Sequence, residues 1–325
     1  MTGALTCKPY LHLPDEQKGV LFPILRRFDR IVVAANMGGT FFADEPELQD
    51  IEFVKLPPVP EKSYPLKFDE FASRAFAEGA EVIVTVGGDG VASYAATAII
   101  RQGLDMGILG IPAGTANAGP IVRADHSEDS LDWSRRLDSI EVSCAGKVLG
   151  YGFNDVILGK SFLGTLDGRL VNLSAGAMAL KGEALELADP DITVAGKDFS
   201  VVLNGQAQEV PSVGDVKQIC VSTLHQDRLM CRAIFGGLLE STGMEAPAAI
   251  ALLDKNVTDA RPGTWSKKMF RRTAHLCFGA GDTVEIEGLA DGVCVIIDGN
   301  PFVLEDRRIT VRCVPDSVKV FGIGG

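Results

Sequence analysis

The chain has 325 residues, 46% apolar and 23% charged, which suits a globular protein with ample core for one large or two medium domains. Its net charge of −12 excludes general nucleic-acid binding, which demands a basic surface, but leaves room for a local nucleotide site. No apolar run reaches membrane-spanning length, no charged-then-apolar leader opens the chain, and seven scattered cysteines without a C-x-x-C pair fit reduced thiols, so the expectation is a cytoplasmic protein without stable membrane association.

Met1–Arg27 is punctuated by prolines and carries one candidate helix, Pro14–Leu25. Arg30–Ala35 predicts a strand that runs into the small-residue loop Asn36-Met37-Gly38-Gly39-Thr40, and Ile51–Val59 predicts a second strand. Phe68–Glu78 reads as a helix, with Phe68, Phe71, Ala72, Ala75 and Phe76 on one face and Gly79 closing it. Glu81–Val86 is a β-rich apolar run that stops at Gly87-Gly88-Asp89-Gly90, after which a helix is expected over Val91–Gln102. Gly107–Ile111 is another short apolar run, ending at Pro112-Ala113-Gly114-Thr115-Ala116-Asn117. Two strands joined through a helix are nearly always parallel, so both loops leave carboxyl ends on one edge of a sheet, where open α/β sheets bind ligands.

The residue types on that edge suit phosphate. Gly87, Gly88 and Gly90 remove three Cβ atoms from one turn, allowing positive φ and close approach of N–H groups to an anionic oxygen. A helix starting near Val91 would aim its positive end at the same spot. A carboxylate repels phosphate, so Asp89 fits there as a magnesium ligand or as the acceptor of a hydroxyl proton. The structural alternative is a strand-to-helix turn with Asp89 as N-cap. In the second loop Gly114 permits a tight turn, while Thr115 and Asn117 offer a hydroxyl and an amide; an ordinary polar turn would use the same residues.

Glu128 and Asp129 followed by Arg135-Arg136 suggest a helix over Ser130–Leu137. Beyond Ser139 come short β-type runs broken by Gly, Asp and Asn: Ile140–Cys144, Lys147–Leu158, Leu170–Leu173, Ser200–Leu203, Gln218–Thr223, Thr283–Ile286, Cys294–Ile297, Ile309–Cys313 and Val318–Phe321. Asn204-Gly205 and Asp298-Gly299 carry hairpin chemistry. The expected layout is an open, Rossmann-like α/β domain with a parallel sheet over 1–139, then a β-sandwich-like domain over 140–325.

GGDG at 87–90 followed by the I-P-x-G-T-x-N loop resembles the NAD kinase/diacylglycerol kinase superfamily, and the layout is similar to the NAD-kinase-like proteins of acetoin catabolism. The resemblance implies an ATP-dependent, magnesium-assisted kinase acting on a hydroxyl of a small molecule, with NAD or a related nucleotide as first candidate. It implies an active site in the cleft between the domains, and a homo-oligomer. Asp89 would be the catalytic or metal-organising carboxylate. Asn36, Gly38, Gly39, Gly87, Gly88, Gly90, Gly114, Thr115 and Asn117 would hold nucleotide and phosphates. Tyr151–Val156 resembles the family's Asn-Glu strand, so Asn154 and Asp155 would contact the acceptor; a plain turn or strand end is the alternative. Two departures stand out. Val91 takes the usual place of a threonine, and the Gly-Ser-Thr-Ala-Tyr segment of true NAD kinases is absent. These departures make a non-catalytic nucleotide sensor one rival reading, and the P-x-G-T-x-N loop makes a lipid kinase the other.

Other features carry less. Gly159-Lys160-Ser161 has the wrong spacing for a Walker A loop, and no G-x-G-x-x-G follows the first strand. Lys267, Lys268, Arg271 and Arg272 beside Trp265 and Phe270 read as a solvated face or partner contact, ahead of an anionic-substrate clamp. The four histidines, including His225 near Asp227, are too far apart in sequence for a zinc-type cluster.

Overall fold

The computed structural model describes residues 1–7, 15–60, 63–113, 117, 119–123, 126–167, 169–209, 215–224, 246–260 and 273–322. The chain forms two compact units: Met1–Leu137 with Asp316–Gly325, and Asp138–Pro315.

The first unit contains β1 (Thr2–Cys7), α1 (Asp15–Leu25), β2 (Arg30–Ala34), β3 (Glu52–Leu56), α2 (Tyr64–Ala77), β4 (Val82–Gly87), α3 (Asp89–Gln102) and β5 (Gly107–Pro112). The strands pair in the order β3-β2-β1-β4-β5, all parallel. All six residues of β4 are buried, as are five of the six of β5. Near-continuous apolar strands are what a parallel sheet with both faces covered requires. One face packs Leu5, Val33, Val84 and Leu109 with Leu21, Ile24 and Phe42. α3 lies against β4 and β5, and α2 against α3. The buried stripe of α2 is Phe68, Phe71, Ala72 and Ala75, while Phe76 is 43% exposed, so the buried face is one residue narrower than the apolar face expected from the sequence. Burying a phenylalanine such as Phe71 contributes about 1.5–3 kcal/mol. The end of the last strand, β19 (Ile309–Phe321), docks parallel to β5 through Lys319 and Val320.

β6 (Ser134–Cys144) begins in the first unit and continues into the second, where β7 (Lys147–Gly152) and β8 (Val156–Gly159) are followed by the hairpin β9 (Ser161–Leu166) and β10 (Arg169–Ser174), and by α4 (Ala175–Lys181). Next come β11 (Ala195–Leu203), β12 (Gln206–Ala207), β13 (Gln218–Thr223), β14 (Ala248–Leu253) and β15 (Thr273–Phe278). β16 (Val284–Leu289), β17 (Cys294–Ile297) and β18 (Asn300–Val303) then lead to β19. An antiparallel sheet in the order β15-β14-β13-β8-β17-β18 faces a layer that includes β11, β16 and the start of β19. Val156, Leu158, Val221, Ile250 and Val295 interdigitate with Val201, Val284, Ile286 and Ile309. The alternate residues Ile157, Cys220, Ala251 and Ile296 bury against the β9–β10 hairpin and α4, so this sheet too is covered on both faces. An α/β domain followed by a β-rich one is the architecture expected from the sequence.

Both hairpin signals hold: Asn204-Gly205 (φ 51° and 78°) joins β11 to β12, and Asp298-Gly299 (φ 47° and 83°) joins β17 to β18. The expected helix over Ser130–Leu137 is absent. Glu128–Asp132 makes a short 3₁₀ turn and the chain is extended from Trp133 into β6. Arg136 terminates no helix; its Nε donates to Asp316 O at 2.7 Å. The alternation of Ile140, Val142 and Cys144 toward the core outweighed the charge pattern. The run Lys147–Leu158 is two strands, broken at 153–155, and the two final runs are one.

Candidate functional site

Every strand of the first unit's sheet points the same way, so the segments after β1, β2, β4 and β5 share its carboxyl edge. β1 leads to β2 on one side, whereas β3 crosses back through α2 to β4 on the other. The order therefore reverses between β1 and β4, and that switch point is where doubly wound sheets open a ligand crevice. There Cys7 registers with Val86, and Gly87 with Pro112.

The 87–90 loop is tighter than its glycines suggest. Gly87 closes β4, Gly88 (φ −100°, ψ −176°) is the N-cap of α3, and the helix starts at Asp89, two residues before Val91. None of Gly87, Gly88 and Gly90 takes positive φ, contrary to expectation. A Cβ on Gly87 would come within 3.1 Å of Val91 Cγ2, so close packing of helix on strand explains that glycine. Gly88 caps without a side chain, which leaves the start of the helix uncovered by its own cap. Asp89 is thus a first-turn acid, not an N-cap.

Asp89 is also what joins this loop to the next. Its Oδ2 accepts the Gly119 N–H at 3.1 Å, while Gly87 O accepts Ala113 N–H at 2.8 Å. The segment after β5 is therefore stitched to the glycine loop at both ends. Asn117, half-buried, lies within the stitched stretch; Gly114 and Thr115 lie outside the described residues. Further along, Arg123 N–H and His126 Nε2 both reach Gly110 O, at 3.2 and 3.0 Å. They hold the returning chain against β5.

The loop after β2 is committed to packing. Asn36 Nδ2 donates to Val59 O at 2.6 Å, and its Oδ1 accepts Val59 N–H at 2.8 Å. Gly38 and Gly39 take left-handed φ of 71° and 81°, and a Cβ on Gly38 would lie 2.4 Å from Cys7 Sγ. Gly39 N–H donates to that sulfur at 3.1 Å. Burial raises the Cys7 thiol to about 11, with the Gly39 N–H pulling the other way, so at neutral pH it is a protonated packing group. Near it stands Tyr64, whose ring lies 5.4 Å from that of Tyr94 and 5.5 Å from that of Phe68 by centroid. Burial, then the proximity of Cys7, holds the Tyr64 hydroxyl protonated. Neither β1 nor this tyrosine pair was found from sequence. β1 has only six residues and no turn signal before it.

In the second unit, Asn154 and Asp155 occupy the junction between β7 and β8, and Asn154 Nδ2 donates to Asp155 Oδ2 at 3.2 Å. The backbone N–H groups of Phe153, Asn154 and Asp155 all donate to the carboxylate of Asp298. Burial first, and the Asp155 charge second, push the neighbouring Cys220 thiol upward.

Among the described residues, no group of three or more His, Cys, Asp or Glu is arranged to hold a metal ion. That donor set still fits magnesium, which commonly takes one or two carboxylates and completes its shell with substrate phosphates and water. On this edge Asp89 is the carboxylate at the start of α3. The basic stretch Lys267–Arg272 with Trp265 and Phe270, and His225 with Asp227, lie outside the described residues.

Residues 49–122 match the family model of the diacylglycerol kinase catalytic domain, a span running from β3 to just past the second loop. No curated protein matches the chain by sequence. Among solved structures, a diacylglycerol kinase from Bacillus anthracis str. Sterne is 12% identical with a TM-score of 0.53, covering 98% of this chain and 96% of its own. A second structure of that kind from the same organism, with the same identity and coverage, reaches 0.56. Yeast NADH kinase complexed with NADH is also 12% identical, covering 98% of this chain and 82% of its own, with a TM-score of 0.47.

Proposed function

We propose, from the premise that residues 49–122 and the fold are those of the NAD kinase/diacylglycerol kinase superfamily, that this protein is an ATP-dependent kinase. Its reaction would move the γ-phosphoryl group to a hydroxyl of a small molecule. The observation that carries the reading is the Asp89–Gly119 hydrogen bond, which ties the glycine loop to the loop after β5 beside the start of α3. Phosphoryl transfer needs mainly positioning and electrostatic stabilisation, and a helix start with two backbone loops beside one carboxylate supplies both. The acceptor oxygen forms its bond to phosphorus as the bond to ADP breaks, and the hydroxyl proton passes to Asp89. If Asp89 instead organises magnesium with the donor phosphates, the ion would neutralise charge on the transferring group and the hydroxyl proton would pass to water. Gly87, Gly88, Gly90, Gly114, Thr115 and Asn117 form the proposed donor side, and Asn154 with Asp155 the acceptor side.

The test is direct. Purified protein is incubated with γ-labelled ATP, magnesium and a panel containing NAD, NADH, diacylglycerol in micelles and soluble polyols. Label should move to one acceptor class, and Asp89→Asn should abolish the transfer while ATP still raises the melting temperature. Transfer undiminished in Asp89→Asn removes Asp89 from the chemistry. NAD is the first acceptor to try, on the resemblance to NAD-kinase-like proteins of acetoin catabolism; the diacylglycerol kinase match makes the lipid the second.

One observation favours a non-catalytic nucleotide sensor. Val91 packs its side chain toward Gly87, so the position after GGDG offers an apolar group where relatives of this loop offer a hydroxyl. ATP or NAD binding with no labelled product across the whole panel would select that reading.

A further inference from the structure

Asp298 opens the two-residue turn between β17 and β18, and its backbone N–H donates to Asp155 O at 3.0 Å. This extends the β8–β17 ladder by one rung. Its side chain then folds over the β7–β8 junction. Oδ2 accepts from Phe153 N at 2.9 Å, while Oδ1 accepts from Asn154 N at 2.8 Å and from Asp155 N at 3.0 Å. Three consecutive peptide N–H groups thus converge on one carboxylate in a residue only 5% exposed. Such a run of N–H groups is an anion nest, and here the chain supplies the anion itself. Ser222 Oγ donates to Asn154 O at 2.8 Å.

A buried charge is costly, and closing a strand junction does not require one. What the carboxylate adds is rigidity: charge-assisted bonds to three successive N–H groups leave the 153–155 backbone one conformation. The two side chains carried by that backbone are Asn154 and Asp155. We infer that Asp298 is a positioning residue, whose carboxylate fixes the Asn154–Asp155 pair in the orientation that receives the hydroxyl acceptor. This inference rests on the acceptor role given to that pair under Proposed function.

Asp298→Asn is the informative variant. Asparagine keeps the side-chain shape and tolerates the left-handed turn, so the change removes the charge and an acceptor but not the hairpin. In the full-length protein, amide hydrogen exchange at Phe153, Asn154 and Asp155 should accelerate by about tenfold or more, while Ile157 and Leu158 stay protected. NAD, titrated by calorimetry, should bind about tenfold more weakly, with ATP affinity unchanged. Unchanged exchange at 153–155 overturns the inference. Accelerated exchange with unaltered NAD affinity overturns it as well, because Asp298 would then be structural only. A wild type that binds no NAD sinks NAD as the acceptor, and the exchange rates then decide by themselves whether Asp298 holds the pair. Should Asp298→Asn fail to fold, Asp298→Glu keeps the charge, moves it by one methylene and yields the same two readouts.

Discussion

The carboxylate of Asp89 accepts the backbone N–H of Gly119 at 3.1 Å, across thirty positions of sequence. One side chain therefore serves two ends: it closes the loop after β5 against α3, and it stands where the proposed chemistry needs a base. The two duties separate by mutation. Asp89→Asn keeps an oxygen for Gly119 and should lose about a thousandfold in transfer rate with little change in melting temperature. Asp89→Ala should lose the rate and, in addition, about 1–3 kcal/mol of stability by urea titration. Equal stability of the two variants would show that the Gly119 bond contributes nothing.

Asn36 tests a role carried over from resemblance. Its amide is engaged by both backbone groups of Val59, so Asn36→Ala should cost about 2 kcal/mol from two lost hydrogen bonds and two orphaned partners. The affinity for ATP, measured by calorimetry on the folded variant, should stay within about twofold, since the bonds are internal. A large loss of ATP affinity with intact stability would return Asn36 to the nucleotide site.

Gly38 and Gly79 offer an internal comparison, both with left-handed φ, at 71° and 85°. At Gly79 nothing lies within 4 Å of an added Cβ, so alanine there costs only backbone strain, about 1–2 kcal/mol. At Gly38 the same methyl would meet the Cys7 sulfur and the Cys7 carbonyl oxygen at 2.5 Å, so alanine should destabilise by about 3 kcal/mol or more. Thermal melts of the two variants side by side decide it. Matching values would mean that the Cys7 contact yields freely.

Cys7 predicts an alkaline limit. Its thiol is raised from 9.0 to about 11 by burial. Between those values the unfolded chain has released the proton and the folded chain has not. Stability from this group is therefore complete below pH 9 and falls as pH climbs toward 11, by about 2–3 kcal/mol at most. Denaturant titrations at pH 8 and pH 10.5 should show Cys7→Ala losing less over that interval than wild type. An identical slope would place the thiol in contact with water.

The site was legible where short-range chemistry decides it and illegible where partners are remote. GGDG and the strands around it could be read because Val82–Gly87 and Gly107–Pro112 are apolar but for Thr85 and are separated by a helix of ordinary length. The position of Asp89 at N1 was not legible, since a helix start two residues earlier than expected depends on how Val91 packs on Gly87. β1 escaped notice because a six-residue strand has little periodicity to detect, yet it is the middle one of the five parallel strands β3-β2-β1-β4-β5. Asp298 could be read as a hairpin residue, from the Asp-Gly pair alone. Its grip on the 153–155 backbone could not, because nothing local announces a partner so far along the chain.

The docking of Lys319 and Val320 beside Gly107 and Ile108 has a bearing on biosynthesis. As the polypeptide leaves the ribosome, β5 emerges with an open flank, and it stays open until the entire β-rich unit has been made. An uncovered parallel strand is an invitation to mispairing between nascent chains. That flank needs shelter until β19 has been made.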